Sequence, residues 1–341
     1  MDIGNNNSYR QLGRLVDMKA QNNLENGKRI FGRDITNLDK RLKKNVSIYE
    51  KVPVATKVET KTRSRSLYGH KEVLPNASVM LPARDAIMDY KQEVMDFVVR
   101  LQKVEPHDTQ KHVTEKMRQI LIDWLVDVHD SFELKEQTLY LALSYLSDYA
   151  SLREISKEDY QLAGIACLWI ASKYEEIYPP RTRNYIEVTA DTYTIRDLKN
   201  MESNILEALG FDLNRTTALQ LFEGMIESEP ASESVRILQE KAICLCRYAL
   251  ETALFEGLGK KYEPLTMVSA AMNMAENVLK HKLELRTQPT MKVNRSEMLE
   301  CFKDMCVMMQ GNNKFDLNAL RRKYGKSKNH QVAKLKLTLS E

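Results

Sequence analysis

The chain has 341 residues, 43% of them hydrophobic, and a formal net charge of +4, enough to bury at least one sizeable core and usual for one or two domains. No run approaches 18 apolar residues, and the start Met1-Asp-Ile-Gly-Asn-Asn-Asn7 lacks a basic segment followed by an apolar one, so no membrane span or secretory signal is expected and the chain reads as intracellular. Five cysteines, at 167, 244, 246, 301 and 306, show no paired spacing, and six scattered histidines form no ligand cluster; reduced thiols are expected, with no metal and no cofactor.

The charge is unevenly placed. Residues 1 to 85 hold seventeen Lys or Arg against nine Asp or Glu, which leaves the other 256 residues at minus 4. Up to residue 84 there are only four aromatic residues, clusters of Asn, and no sustained period of 3.6 or 2. Such a segment buries too little apolar surface to offset its ordering entropy, so residues 1–84 read as a disordered basic tail. Its runs Lys40-Arg-Leu-Lys-Lys44 and Lys57 to Arg65 fit either a nucleic-acid or import-receptor contact or a solvated linker.

Beyond Pro82 the sequence turns to long segments of helical period. Ser156-x-x-Asp159, Thr194-x-x-Asp197 and Asn294-x-x-Glu297 are start signals; Pro179-Pro180, Gly210 and Gly325 are stops. These imply ten to twelve helices, no alternating strand and an all-α body that divides near residues 212–217 into two parts of similar length. The expected division is an N-terminal helix and first unit over 85–212 and a second unit over 213–341. The N-terminal helix, around Asp85 to Val104, is expected beside the first unit.

On a helix over 117–132, Met117, Ile120, Leu121, Trp124 and Val128 share one stripe, and Ile122, Leu125, His129 and Phe132 the next. Gln119, Asp123 and Asp127 make its polar face. This apolar arc fits a central, fully wrapped helix, or one with one stripe in the core and the other an exposed docking surface. Residues 161–172 are apolar nearly all round, as in a buried helix, and end in Lys173, Tyr174, Glu175 and Glu176 before the double proline. A Lys there also suits a negative helix terminus.

Taken together, Met117-Arg-Gln-Ile-Leu-Ile-Asp-Trp-Leu125, Lys173-Tyr-Glu-Glu-Ile-Tyr-Pro-Pro180, Asp191-Thr-Tyr-Thr194 and Met201-Glu202 resemble the first cyclin box of a mitotic, B-type cyclin, and Tyr324-x-x-Ser327-Lys328 resembles that group's C-terminal signature. The resemblance implies two consecutive five-helix cyclin boxes and a non-enzymatic subunit that binds and activates a cyclin-dependent protein kinase, controlling the G2/M transition from nucleus and cytoplasm. It implies kinase contacts through Lys173 and Glu202, aided by Ile170, Tyr174, Glu176 and Leu213. Met117, Ile120, Leu121, Trp124 and Gln161 would form a groove for Arg-x-Leu peptides of substrates or inhibitors. Arg118 would pair with Asp148, which stands one position from the usual Asp. In the tail, Arg29, Ile35 and Asn37 match a destruction box that delivers cyclins to a ubiquitin ligase, with Gly32 where Leu is usual. Neither membrane nor direct nucleic-acid contact is expected.

Two other readings compete. A two-box transcription factor needs a basic face on its repeats, whereas this body is net negative. An all-α enzyme needs a nucleophile-base set, a metal cluster or a phosphate loop, and the sequence offers none.

Overall fold

The computed structural model describes residues 84–106, 110–226, 232–283, 292–310 and 318–335, with side chains from residue 90 onward. The tail, including Arg29, Ile35 and Asn37, lies outside the described residues. Eleven α-helices and no strands occur among the described residues: α1 (Arg84–Leu101), α2 (Glu115–Ser131), α3 (Glu136–Leu152), α4 (Tyr160–Glu175), α5 (Thr182–Glu187), α6 (Ile195–Ala208), α7 (Ala218–Met225), α8 (Glu233–Phe255), α9 (Pro264–Leu279), α10 (Arg295–Gln310) and α11 (Ala319–Tyr324). Helices α2 to α6 form one five-helix unit, α7 to α11 the next, and the linker 209–217 joins them.

Local chemistry sets most of these boundaries. Thr194 and Asp197 form a reciprocal capping box at α6: the Asp197 N–H donates to Thr194 Oγ1 (3.2 Å) and the Thr194 N–H to Asp197 Oδ2 (2.8 Å). Thr114, Thr217 and Ser232 cap α2, α7 and α8 in the same manner. Ser156 and Asp159 bond each other, but in the turn before α4, which begins at Tyr160. Gly210 supplies the left-handed residue (φ +61°) that ends the α6 region. Gly325 follows α11 at φ −83° and needs no such freedom.

Helix α4 is the axle of the first unit, buried at every residue from Tyr160 to Ser172. A Cβ on Gly164 would stand 2.9 Å from Leu121 Cδ2, so the missing side chain lets α2 and α4 approach closely. In the second unit α8 and α9 pack together, with Ala249, Ala253, Ala270 and Ala271 all buried.

Helix α1 departs from the expected packing. Its buried residues Met95 and Val99 belong to the core on the α7 side, where Gly224 leaves room for the Met95 side chain. Gln102 then receives the Leu265 N–H (2.9 Å) and the Glu105 N–H donates to Gly259 O (2.7 Å). The chain entering the first unit is therefore laid mainly against the second.

The two units meet through polar bonds as well as apolar packing. Thr217 donates to Gln137 (2.8 Å), Tyr145 donates to Leu213 O (2.9 Å), and Arg247 of α8 reaches Glu136 of α3 (3.2 Å). Within the second unit, Glu251 (1% exposed) accepts from Lys323 (7% exposed) at 2.5 Å and from Tyr324 at 2.8 Å. A buried pair of this kind gains little net stability over apolar packing, but removing one partner strands a charge. Lys323→Met is accordingly expected to cost about 3 to 5 kcal/mol in urea unfolding, and Lys323→Met with Glu251→Leu to recover most of it. Equal losses in the single and double variants would contradict this assignment.

Candidate functional site

At the C-terminal end of α4 the chain presents a mixed surface. Lys173, in the last turn, forms an ion pair with Glu202 of α6, and its Nζ sits 3.7 Å above the centre of the buried Trp169 ring. Partial burial lowers the Lys173 pKa below the ordinary lysine value. In the residues after Lys173, Tyr174, Ile177 (79% exposed) and Tyr178 (90% exposed) are bare, and Phe211 is exposed just past the helix that carries Glu202. Phe211 is held at φ +59°, a left-handed conformation strained for an aromatic residue, in the linker that also carries Leu213.

Glu176 has an intramolecular task. Its Oε1 accepts from the Lys135 N–H (2.8 Å) and the Thr138 hydroxyl (2.5 Å), which caps the start of α3. Lys135 Nζ returns a bond to Glu175 O (2.7 Å). These contacts lock the end of α4 to the start of α3 and so fix how Ile177 and Tyr178 are displayed. Beneath them His129 is buried with Nε2 2.8 Å from Lys135 O.

Of the residues expected to meet a kinase, Lys173 and Glu202 converge, Tyr174 is exposed, and Leu213 is partly buried. Ile170 is corrected: at 3% exposure it belongs to the core under the surface. The sequence reading omits Ile177, Tyr178 and Phe211, although the first two are part of the quoted motif.

It also misses a stripe on α1 and just beyond. Tyr90, Val94, Phe97, Leu101 and Val104 are all exposed, at alternating spacings of four and three residues, opposite the buried Met95 and Val99. That heptad spacing was a legible signal of a second apolar face. The linker touches the same helix, where the Thr216 hydroxyl donates to Val98 O (3.4 Å).

The wide-arc helix α2 is neither fully wrapped nor split cleanly into a core stripe and an exposed one. Met117, Ile120 and Trp124 are partly exposed, whereas Leu121 is fully buried against Gly164 and forms the floor rather than a wall. Gln161 is also buried (3% exposed), and its Nε2 has no hydrogen-bond partner among the described residues.

The expected Arg118–Asp148 pair is not made. Arg118 donates to Phe255 O (2.9 Å) and Leu254 O (3.2 Å) at the negative end of α8, and pairs with Glu115 (3.0 Å). Gly257, at φ +74°, makes the turn that allows this approach. Asp148 instead takes Arg215 Nε at 2.6 Å, which anchors the linker. One position of shift on a helix turns a side chain by about 100°, enough to redirect the carboxylate. The buried Glu105 carboxyl, its pKa raised by desolvation against the pull of Arg118 and Lys260, supplies further negative charge near the guanidinium.

Two consecutive five-helix units define an all-helical protein, and no group of three His, Cys, Asp or Glu among the described residues is placed to hold a metal. The family models bear directly on this: "Cyclin, N-terminal domain" matches residues 86–214 and "Cyclin, C-terminal domain" matches residues 231–337. The chain belongs to the cyclin family. It is 30% identical over 247 residues to the G2/mitotic-specific cyclin-B2 of Bos taurus, covering 70% of this chain and 60% of that one. It is also 30% identical over 248 residues to cyclin-A1-2 of Arabidopsis thaliana, covering 72% and 54%. The chain thus spans little more than half the length of these relatives. A viral cyclin from herpesvirus saimiri aligns over 73% of this chain and 96% of its own, at 19% identity and a TM-score of 0.43.

Burial, then the nearby Lys323, lowers the His129 pKa from 6.5 to about 4, against the bond to Lys135 O and the charges of Asp130 and Glu176. A depressed histidine leaves the unfolded chain binding the extra proton first, so its contribution is intact above pH 6.5 and is lost as pH falls toward 4. His129→Gln is expected to flatten the stability-versus-pH curve in that window by up to about 1.4 kcal/mol per pH unit, measured by urea unfolding at a series of pH values. An unchanged slope would place the proton elsewhere.

Proposed function

We propose that this cyclin is the regulatory subunit of a cyclin-dependent serine/threonine kinase, binding through the Lys173–Glu202 surface. The observation that carries the reading is the exposure of Tyr174, Ile177, Tyr178 and Phe211, in the segments that follow Lys173 and the helix of its ion-pair partner Glu202. An isolated surface pair contributes about 0 to 1 kcal/mol and gives no reason for bare aromatic neighbours, whereas a partner that covers them removes that apolar area from water. The exposed stripe Tyr90, Val94, Phe97 and Leu101, on a helix that the linker touches, would extend the surface.

Such a surface suits a kinase's regulatory helix. Held inward, that helix lets a kinase Glu pair with the strand Lys that orients the nucleotide phosphates, so the cyclin shifts a population toward the active state and performs no chemistry itself. The partly exposed Met117, Ile120 and Trp124 would dock Arg-x-Leu segments of substrates or inhibitors, with the unpartnered Gln161 amide offering a donor to the peptide backbone. Relatives named as both A- and B-type cyclins are similarly close; the mitotic, G2/M reading rests on the B-type likeness of Tyr324, Ser327 and Lys328. Degradation through a ubiquitin ligase, by way of Arg29, Ile35 and Asn37, and residence in nucleus and cytoplasm belong to the same proposal.

Lys173→Ala with Glu202→Ala should weaken binding to a cyclin-dependent kinase by a few kcal/mol at most, as truncation at an interface centre does, and leave the circular-dichroism melt unchanged. Isothermal titration with the purified kinase reads this directly, and full binding and activation by the double variant would remove those residues from the interface. Trp124→Ala, by contrast, should abolish capture of an immobilised Arg-x-Leu peptide while kinase binding persists; retention of the peptide would exclude the α2 groove.

A further inference from the structure

Beyond the second unit's core, residues 318–335 return to the first unit and lie along the polar edge of α2. The Ala319 N–H donates to Asp123 Oδ1 (2.8 Å), Arg322 Nη2 reaches both oxygens of Asp127 (2.8 and 2.6 Å), and Lys326 and Lys328 reach Asp130 (2.5 and 3.5 Å). The three aspartates stand at i, i+4 and i+7, so they form one stripe on the helix. Asp123 and Asp127 each follow an exposed groove residue, Ile120 and Trp124, by three positions, which makes them surface neighbours of that groove. Between Arg322 and Lys326, the same segment is fixed in the second unit by the buried Lys323 and Tyr324, which bond Glu251.

This arrangement is costly to make for packing alone. Asp123 is buried enough that its pKa is pushed up to about 6, and burial raises the pKa of Asp127 despite Arg322. Apolar residues at these places would cover the edge of α2 equally well without desolvating carboxylates. What charged bonds add is direction: each fixes one rotation of α2 about its axis, and that rotation decides how far Ile120 and Trp124 protrude.

We propose that the C-terminal segment is a positioning strap for peptide docking, in which Asp127 and Arg322 set the presentation of Ile120 and Trp124 without touching the peptide. The proposal rests on the groove reading above. It makes the strength of peptide docking a property of both units, although the groove residues lie in the first.

The test uses the full chain labelled with 5-fluorotryptophan, which contains two tryptophans. Trp124 reports on the groove; Trp169, with Lys173 Nζ over its ring and Tyr185 tilted beside it, is the internal control. Fluorescence anisotropy with a labelled Arg-x-Leu peptide gives the affinity. Arg322→Ala and the milder Asp127→Asn should each move the Trp124 fluorine resonance, leave that of Trp169 in place, and weaken the peptide by about fivefold or more, the scale of coupling within one side-chain network. The exchanged pair Asp127→Arg with Arg322→Asp should restore both readouts. Peptide affinity within twofold of wild type together with an unmoved Trp124 resonance in either folded single variant would overturn the strap. A wild-type chain that fails to bind the peptide sinks the groove reading instead, and the fluorine resonances then decide alone whether the strap sets Trp124.

Discussion

Five polar residues of α2 are bonded to the second half of the chain. Arg118 is fastened to the last carbonyls of α8, Gln119 to Glu256 (3.0 Å), and Asp123, Asp127 and Asp130 to the segment that follows α10. The opposite side of α2 is pressed on α4 at Gly164. With both sides engaged, the helix has no freedom to roll, and the orientation of the two units follows from it. The end of α4 is in turn held to α3 through Glu176, so the surface around Lys173 inherits a fixed frame.

Most of these bonds involve charges that have been taken partly or wholly out of water. Desolvation raises the carboxyl pKa values of Glu105, Asp123, Asp127, Glu136 and Glu256 in spite of neighbouring cations. Pairs of that kind contribute modestly to net stability, since attraction is offset by lost hydration, yet each is expensive to break on one side. The junction between the units is therefore better described as specified than as strongly adhesive. Apolar packing within each unit, through Leu121, Ile165 and Leu168 in one and Ala249, Val268 and Met305 in the other, supplies the bulk of the driving force.

Much of this architecture was legible in the sequence because helices announce themselves locally. Thr194 with Asp197, and the small-residue run of α4, are signals contained within a few turns, and the structure realises both. Residues that depend on distant partners were not legible in the same degree. Nothing near Arg118 reveals that it will cap a helix 137 residues away, and nothing near Asp148 points to Arg215. Ile170 and Leu121 carry the right chemistry for a surface contact, but burial is set by α4 and α2 meeting at a glycine, which the pattern alone does not show. The outer stripe of α1 was readable from its heptad spacing; reading that helix only for its packed face concealed it. The strap was invisible because its basic residues find their acids nearly 200 positions earlier.

Hydrogen–deuterium exchange on this chain, alone and with a cyclin-dependent kinase, addresses the docking claim most directly. The account predicts slowed exchange over residues 172–178, 199–213 and 90–104 on addition of the kinase, with α10 unchanged. Slowed exchange confined to α10, or no slowing in any segment at saturating kinase, would contradict it.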